Sequence, residues 1–343
     1  MPFLGNPLIV ITGVAPFSLG EQIVRQISTN RVGANILGVD ISHNPRLNGL
    51  KGYRELKADL NPFGHSGGFR AFSSNIEAML ESCLDGANAA YIEVLIQSAG
   101  IYDAGAFLEA DQNKRERILG VNFLGHIEVL HAAMRLNSKR GFSNPTHLRY
   151  LDVGSFQGLH ARKHRSLYAV SKAAMIDMCT SLAEGNEIRR CIYLAPCPID
   201  THMLHKNHWV QKAAGSIEIF EAAIQESLDT YEGIFRACDR VELSRLTNKM
   251  GHNEKEALSA LEAYAAERRA AYGGSLGVLS PEVCAEVVAG LVINERFCPS
   301  GVYSVSPTPT GRADVQYAGF GDLARQDSMI RAGSRIDPIN GEA

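Results

Sequence analysis

Residues 7–29 read PLIVITGVAPFSLGEQIVRQIST. Positions 7–12 are an unbroken apolar run, the pattern of a strand buried on both faces. Positions 13–20 form a turn with glycine at each end, and positions 21–29 carry apolar residues at helical spacing. Strand, glycine turn and helix in that order aim backbone N–H groups and a helix N-terminus at one point, a geometry suited to a pyrophosphate. The next apolar run, 34–39, ends at Asp40. An acidic side chain at a strand end can accept hydrogen bonds from ribose hydroxyls and repels a 2′-phosphate, so Asp40 predicts NAD over NADP.

The alternation continues. A third strand over 55–60 has Asp59 and Leu60 at its end, and a helix follows at 76–84. A strand over 91–96 closes with Gln97-Ser98-Ala99-Gly100, and a long helix over 111–136 contains Asn122. A strand at 148–153, a helix running to about residue 184 and a strand at 191–194 followed by Ala195-Pro196 complete the series. Repeated βα units imply an α/β fold, a Rossmann-type doubly wound parallel sheet with helices on both faces. Gly13, Asp40, Asp59, Ala99, Ser155 and Pro196 then all fall at the carboxyl ends of strands, where such sheets bind ligands.

The chemistry concentrates in residues 151–175, LDVGSFQGLHARKHRSLYAVSKAAM. Tyr168 and Lys172 are four apart on a helix and share a face. A nearby ammonium favours the phenolate and brings a group with pKa of about 10 towards the range of an acid/base catalyst. Ser155, 13 residues before the tyrosine, can deliver a hydroxyl from the strand end. The spacing alone is weak, since chance supplies roughly 0.3 copies in such a chain. Tyr53 and Lys57 match it too. That copy lies in a segment read as a strand, where four residues span about 13 Å; an aspartate stands at the position corresponding to the serine.

With these pieces the chain resembles the short-chain dehydrogenase/reductase family, in its Tyr-x-x-x-Lys branch, over residues 7–203 and again over 280–305. The matching residues are Thr12-Gly13 with Gly20, Asp40, Asp59-Leu60, Ala99-Gly100, Val121-Asn122, Ser155, Tyr168 with Lys172, and Pro196, Ile199, Thr201 and Met203. The resemblance implies a catalytic tetrad of Asn122, Ser155, Tyr168 and Lys172. In it Tyr168 is the general acid/base, Ser155 orients the substrate oxygen, Lys172 also holds the nicotinamide ribose and Asn122 supports a water linking Lys172 to solvent. It further implies cofactor contacts at Gly13, Ser18, Leu19, Gly20, Asp40, Asp59, Leu60, Ala99, Gly100, Tyr168, Lys172, Pro196, Ile199 and Thr201, the last at the carboxamide. Three departures mark a divergent member. The turn is one residue longer than the family's Thr-Gly-x-x-x-Gly-x-Gly, with Phe17 and Ser18 near the middle glycine, and Ser18 is expected to compensate with a hydroxyl donor. Gln97-Ser98 replaces Asn-Asn, and Cys197 follows Pro196 where the family has glycine.

The remaining features bound the function. The chain has 343 residues, 45% hydrophobic and 21% charged, with net charge −3. Its charges form no long like-sign runs, which predicts neither a nucleic-acid nor a membrane partner. Seven cysteines without a Cys-x-x-Cys pair read as reduced thiols of a cytoplasmic protein. Residues 1–306 read as one Rossmann-type domain. Within it, 202–279 is a helical lid inserted over the cleft, and 307–343 is a tail lacking an apolar period and wrapping over the surface or a partner subunit. His202, His205 and His208 bring no carboxylate or cysteine at ligand spacing, so no metal is expected. His160, Arg162, His164 and Arg165 read as a solvated loop. The expected activity is hydride transfer between NAD(H) and a bulky, partly apolar secondary alcohol or ketone, in a homodimer or homotetramer. The alternatives are a non-catalytic dinucleotide-binding sensor or scaffold, and enoyl reduction, epimerisation or dehydration on the same fold.

Overall fold

A computed structural model describes residues 5–102, 107–142, 147–160, 166–197, 199, 201, 279–293, 298–308, 312–320 and 334–335. The residues 202–278 expected to form the lid, with the three histidines, lie outside the described residues, as do residues 161–165.

Among the described residues, nine strands form one sheet in the order β3-β2-β1-β4-β5-β6-β7-β8-β9. They are β1 (Asn6–Thr12), β2 (Asn35–Asp40), β3 (Tyr53–Lys57), β4 (Ala89–Gln97), β5 (Arg149–Val153), β6 (Arg190–Pro196), β7 (Gly301–Pro307), β8 (Ala313–Ala318) and β9 (Ser334–Arg335). Every pairing from β3 through to β7 is parallel, as the βα alternation demands. Chain direction reverses only at β8 and β9, which pair antiparallel. This corrects the reading of the tail: residues 313–318 extend the sheet instead of wrapping over it. Tyr53 and Lys57 are the two ends of β3, so the second Tyr-x-x-x-Lys spacing is extended, as expected.

The β1 run divides between two cores. Leu8 and Val10 pack with helices α2 (Gly68–Gly86), α4 (Gly125–Lys139) and α6 (Ser166–Glu184). Ile9 and Ile11 pack on the other face with α1 (Leu19–Asn30) and α7 (Pro281–Ile293). All four are at most 1% exposed, each contributing about 1.5–3 kcal/mol of burial. Two arginines at adjacent strand starts fix α7 from below. Arg149 donates to the carbonyl of Val292 at 2.6 Å and pairs with Glu93 at 2.8 Å, while Arg190 donates to the carbonyls of Leu291 and Cys298. Cations at the last carbonyls of a helix satisfy acceptors with no intrahelical donor and oppose the negative end of its dipole.

The long helix expected over 111–136 is interrupted. Helix α3 (Gln112–Leu119) passes into α4 through a π-helical turn, Gly120–Leu124, that contains Asn122. The glycines bounding this turn permit close approach. A Cβ on Gly120 would lie 2.1 Å from Asn61 Oδ1, and one on Gly125 2.1 Å from the Leu60 carbonyl. The π-turn is thereby seated against the segment that leaves β3.

Candidate active site

The glycine turn closes upon itself. Gly13 (φ +76°) lets the chain turn off β1 against β4, where a Cβ would lie 2.4 Å from the Ala99 nitrogen. Gly20 faces the Gly13 carbonyl at a distance that leaves no room for a side chain. Between them Phe17 adopts φ 63°, the left-handed region unfavourable to a bulky residue. Its ring lies under the Arg46 guanidinium, 4.2 Å from the centroid, a cation–π contact. Ser18 caps α1, accepting from the Glu21 N–H at 3.1 Å and donating to the Gly13 carbonyl at 2.8 Å. The Ser18 proton expected for a phosphate is therefore engaged inside the turn.

Glu21 is the residue that sequence reasoning missed here. It is fully buried, accepts from the Phe17 N–H at 2.8 Å and pairs with Arg25 (2.9 Å) and Arg46 (2.8 Å). Burial alone raises its carboxyl, but Arg46, the Phe17 N–H and Arg25 together hold it below the ordinary carboxylate value. The N–H groups of Leu19 and Gly20, at the open end of α1, have no hydrogen-bond partner among the described residues. They are the donors left to an anion at this helix end.

Asp40 sits at the end of β2, as expected, and also braces the turn. Its carboxylate accepts from the Ala15 N–H at 3.0 Å and from both the N–H and the hydroxyl of Ser42 at 3.0 Å. After β3, Asp59 accepts from the Asn61 N–H at 2.9 Å, and Leu60 is buried against the π-turn. Thr12 ties β1 to the end of β4, its hydroxyl accepting from the Ala99 N–H at 3.2 Å. Ala99 and Gly100 follow directly, half-buried. Asn122 clamps the next residue, accepting from the Ile101 N–H and donating to its carbonyl, both at 2.8 Å. It also donates to the Ser171 hydroxyl at 3.2 Å, which joins the π-turn to α6.

Ser155 follows the end of β5, and the Lys172 side chain reaches the last residue of that strand. Ser155 caps the short helix α5 (Phe156–Leu159), its hydroxyl accepting from the Gln157 N–H at 3.1 Å. The Lys172 ammonium, 2% exposed, donates to the Val153 carbonyl at 3.1 Å. Burial pulls it below its ordinary value and the Asp152 carboxylate works against that fall. Tyr168 stands one helical turn earlier, buried, with the Tyr102 ring edge-on at 4.9 Å. His160 lies beyond α5 with its ring 4.5 Å from that of Phe156.

Beneath these groups lies a buried polar row that sequence reasoning did not find. Gln97, Asp152 and Tyr193 are register partners on β4, β5 and β6. Gln97 donates to the His126 carbonyl at 2.6 Å. The His126 ring, fully buried on α4, lies between Asp152 Oδ1 and the Ala99 carbonyl, each 2.8 Å away. The Tyr150 hydroxyl also donates to Asp152 Oδ1, at 3.3 Å. Gln97 Oε1 and Asp152 Oδ2 are buried without a partner among the described residues. An aspartate inside the apolar run of β5 was the available signal.

At the end of β6, Pro196 is buried and Ile199 forms an isolated parallel bridge with Leu279. Thr201 turns back on Ile199, donating from its N–H to the Ile199 carbonyl at 2.8 Å. The six described cysteines are free thiols, and no group of three or more metal-ligating side chains occurs among the described residues. No described helix is long and apolar enough to cross a membrane.

Residues 7–211 match the short chain dehydrogenase family. A segment of 138 residues is 28% identical to an uncharacterised oxidoreductase of Staphylococcus saprophyticus, covering 39% of this chain and 56% of the relative. Another of 116 residues is 28% identical to the 3-oxoacyl-acyl-carrier-protein reductase MabA of Mycobacterium tuberculosis, covering 33% and 44%. The chain thus spans about half the length of these curated relatives. Among solved structures, a short chain dehydrogenase family protein from Francisella tularensis superposes with a TM-score of 0.55 at 17% identity, over 87% of this chain and 96% of the other. The ligand-free aldohexose dehydrogenase of Thermoplasma acidophilum gives 0.55 at 19% identity, over 87% and 92%. These superpositions establish the fold.

Proposed function

Because the chain belongs to the short-chain dehydrogenase family, we propose that it is an oxidoreductase using NAD to interconvert a secondary alcohol and a ketone. The observation that carries the reading is the Lys172 ammonium, buried at the end of β5 one helical turn from Tyr168 and beside the Ser155 cap. The pyrophosphate would be held by the N–H groups of Leu19 and Gly20 at the start of α1. The Asp40 carboxylate, fixed by Ala15 and Ser42, faces the adenosine ribose and favours NAD over NADP.

When bound, the nicotinamide supplies the hydride chemistry. Ser155 keeps a hydroxyl proton to donate to the substrate oxygen, since its oxygen is the acceptor in the helix cap. Tyr168 takes the alcohol proton in oxidation and returns it in reduction. Lys172 stabilises the phenolate by its charge and would hold the nicotinamide ribose when the cofactor is bound. Both side-chain donors of Asn122 are engaged, with the Ile101 carbonyl and the Ser171 hydroxyl. A homodimer or homotetramer packed through α4 and α6 accords with Val170, 59% exposed on α6.

One observation favours a second reading, a dinucleotide sensor or scaffold without catalysis: the Ala15 and Phe17 N–H groups of the turn are bound by Asp40 and Glu21. Fluorescence titration with NADH and NADPH, followed by a screen of secondary alcohols and ketones, separates the two. Tight NADH binding, weak NADPH binding and turnover support the enzyme. Binding of NADH with no turnover of any compound supports the sensor, and binding of neither removes the enzyme and the sensor and leaves a scaffold that has lost its cofactor.

A further inference from the structure

Tyr193 lies at the meeting point of the polar row and the catalytic groups, and nothing in the reaction outlined above uses it. It is fully buried on β6, beside Asp152 on β5. Its hydroxyl makes two hydrogen bonds to one residue, accepting from the Ser155 N–H at 3.0 Å and donating to the Ser155 carbonyl at 3.2 Å. The segment around Ser155 is shaped to admit this phenol. A Cβ on Gly154 would lie 2.0 Å from the Tyr193 ring, and one on Gly158 would lie 2.5 Å from its oxygen.

We propose that Tyr193 is a positioning residue for the reaction: its phenol fixes both backbone polar groups of Ser155, and so the direction of the Ser155 hydroxyl towards the substrate oxygen. The role follows from the local chemistry. Ser155 leaves β5 in extended geometry, φ −162° and ψ 150°, and caps a helix of only four residues. Helix α5 is too short to hold its own cap, because one turn is fixed by about one hydrogen bond. Within α5 the Ser155 carbonyl accepts from the Gly158 N–H at 2.9 Å; the Tyr193 hydroxyl adds a second donor there and supplies the acceptor for the Ser155 N–H, which α5 cannot provide. Simultaneous donation and acceptance requires the neutral phenol. Burial, with the Asp152 carboxylate adding to it, pushes the Tyr193 phenol well above its ordinary value and keeps it neutral. The two buried tyrosines near Ser155 thereby divide the labour: Tyr168 exchanges a proton beside an ammonium, and Tyr193 retains one beside a carboxylate.

The proposal rests on the oxidoreductase reading for its catalytic consequence but not for the contact itself, so the test has two arms. The first is hydrogen–deuterium exchange in the full-length protein, read over residues 149–160. Tyr193→Phe keeps the ring and removes the hydroxyl, and exchange at the Ser155 amide should accelerate roughly tenfold. Gly154→Ala, which displaces the ring by contact, should do the same; unchanged exchange in both variants overturns the contact. The second arm is NADH-dependent reduction of ethyl acetoacetate, cyclohexanone and 2-decanone, the best substrate being carried through a cycle with Ser155→Ala. Tyr193→Phe should lower kcat by about tenfold with NADH affinity unchanged, and should lower it no further in the Ser155→Ala background. An equal loss in both backgrounds, or none in the first, overturns the positioning role. If Ser155→Ala retains full turnover, or wild type reduces none of the three ketones, the functional reading fails instead, and the exchange arm still decides the Tyr193 contact.

Discussion

The two loops that bound the candidate site, one after β1 and one after β5, solve the same problem in different ways. Each must present polar groups at the rim of a sheet. The β1 loop stabilises itself with the groups it would present: Ser18, Glu21 and Asp40 all bond within the turn or to its backbone. The β5 loop also uses its functional heads, Lys172 bonding the Val153 carbonyl and the Ser155 oxygen capping α5, but it is held as well from beneath by the Tyr193 phenol, and the Ser155 hydroxyl keeps its proton for a ligand. A motif can thus lose its usual residues and stay ordered, at the expense of donors for a ligand. A motif can also keep its residues and depend on a neighbour that no motif mentions.

Tyr168→Phe tests the β5 side with the largest expected effect. Losing a positioned acid/base group lowers turnover by about 10²–10⁴-fold. NADH affinity should hold, because the β1 loop is untouched; retained turnover would remove Tyr168 from the chemistry. Asp40→Ala tests the β1 side. It removes the charge opposing a 2′-phosphate and orphans the Ala15 and Ser42 N–H groups. The NADP-to-NAD affinity ratio should rise while stability falls by about 1–3 kcal/mol in chemical denaturation. A stability loss with an unmoved ratio would make Asp40 a brace alone.

Glu21→Gln carries the comparison into pH. The Glu21 carboxyl is lower in the folded protein than in the unfolded chain, since Arg46, the Phe17 N–H and Arg25 outweigh its burial. A depressed carboxyl contributes stability that is present above the unfolded pKa of about 4.3 and is lost as pH falls through the folded value. Glu21→Gln should therefore lower stability near neutral pH by roughly 1–2 kcal/mol, and the difference from wild type should shrink in acid. A difference constant from neutral pH down to acid would place the stabilisation in packing.

The contrast also explains what was legible in the sequence. Buried parallel strands are written as apolar runs, so β1, β2, β4, β5 and β6 could be read directly. The Tyr168–Lys172 face was legible because helical spacing converts to proximity. The π-turn at Gly120–Leu124 was not, because one inserted residue leaves the apolar pattern of a helix almost intact. Strand β8 was missed because ADVQYA is short, half-exposed and set after a proline-rich turn. Glu21, His126, Asp152 and Tyr193 escaped for one physical reason. Each is a buried polar group satisfied at least in part by a partner distant in the chain, and local spacing does not encode such partners. Tyr193 and Ser155 are 38 residues apart, and Glu21 and Arg46 are 25 apart.

Phe17→Gly is the gentlest probe and bears on the least familiar feature of the β1 loop. Phe17 holds a left-handed backbone that glycine adopts freely, so the substitution releases about 1 kcal/mol of strain. It also removes a cation–π contact to Arg46 worth about 0.5–1 kcal/mol. These nearly cancel, and stability should change by less than about 1 kcal/mol. The ring is engaged with Arg46, and the backbone already has the conformation that a glycine would supply. NADH affinity should therefore stay within about threefold of wild type, close to 0.6 kcal/mol. A tenfold gain in affinity would mean that the Phe17 side chain obstructs the phosphate path, so that the β1 loop had exchanged binding for order. An unchanged affinity would mean that the positive φ of Phe17 preserves the backbone course while its ring anchors Arg46, and through Arg46 the buried Glu21.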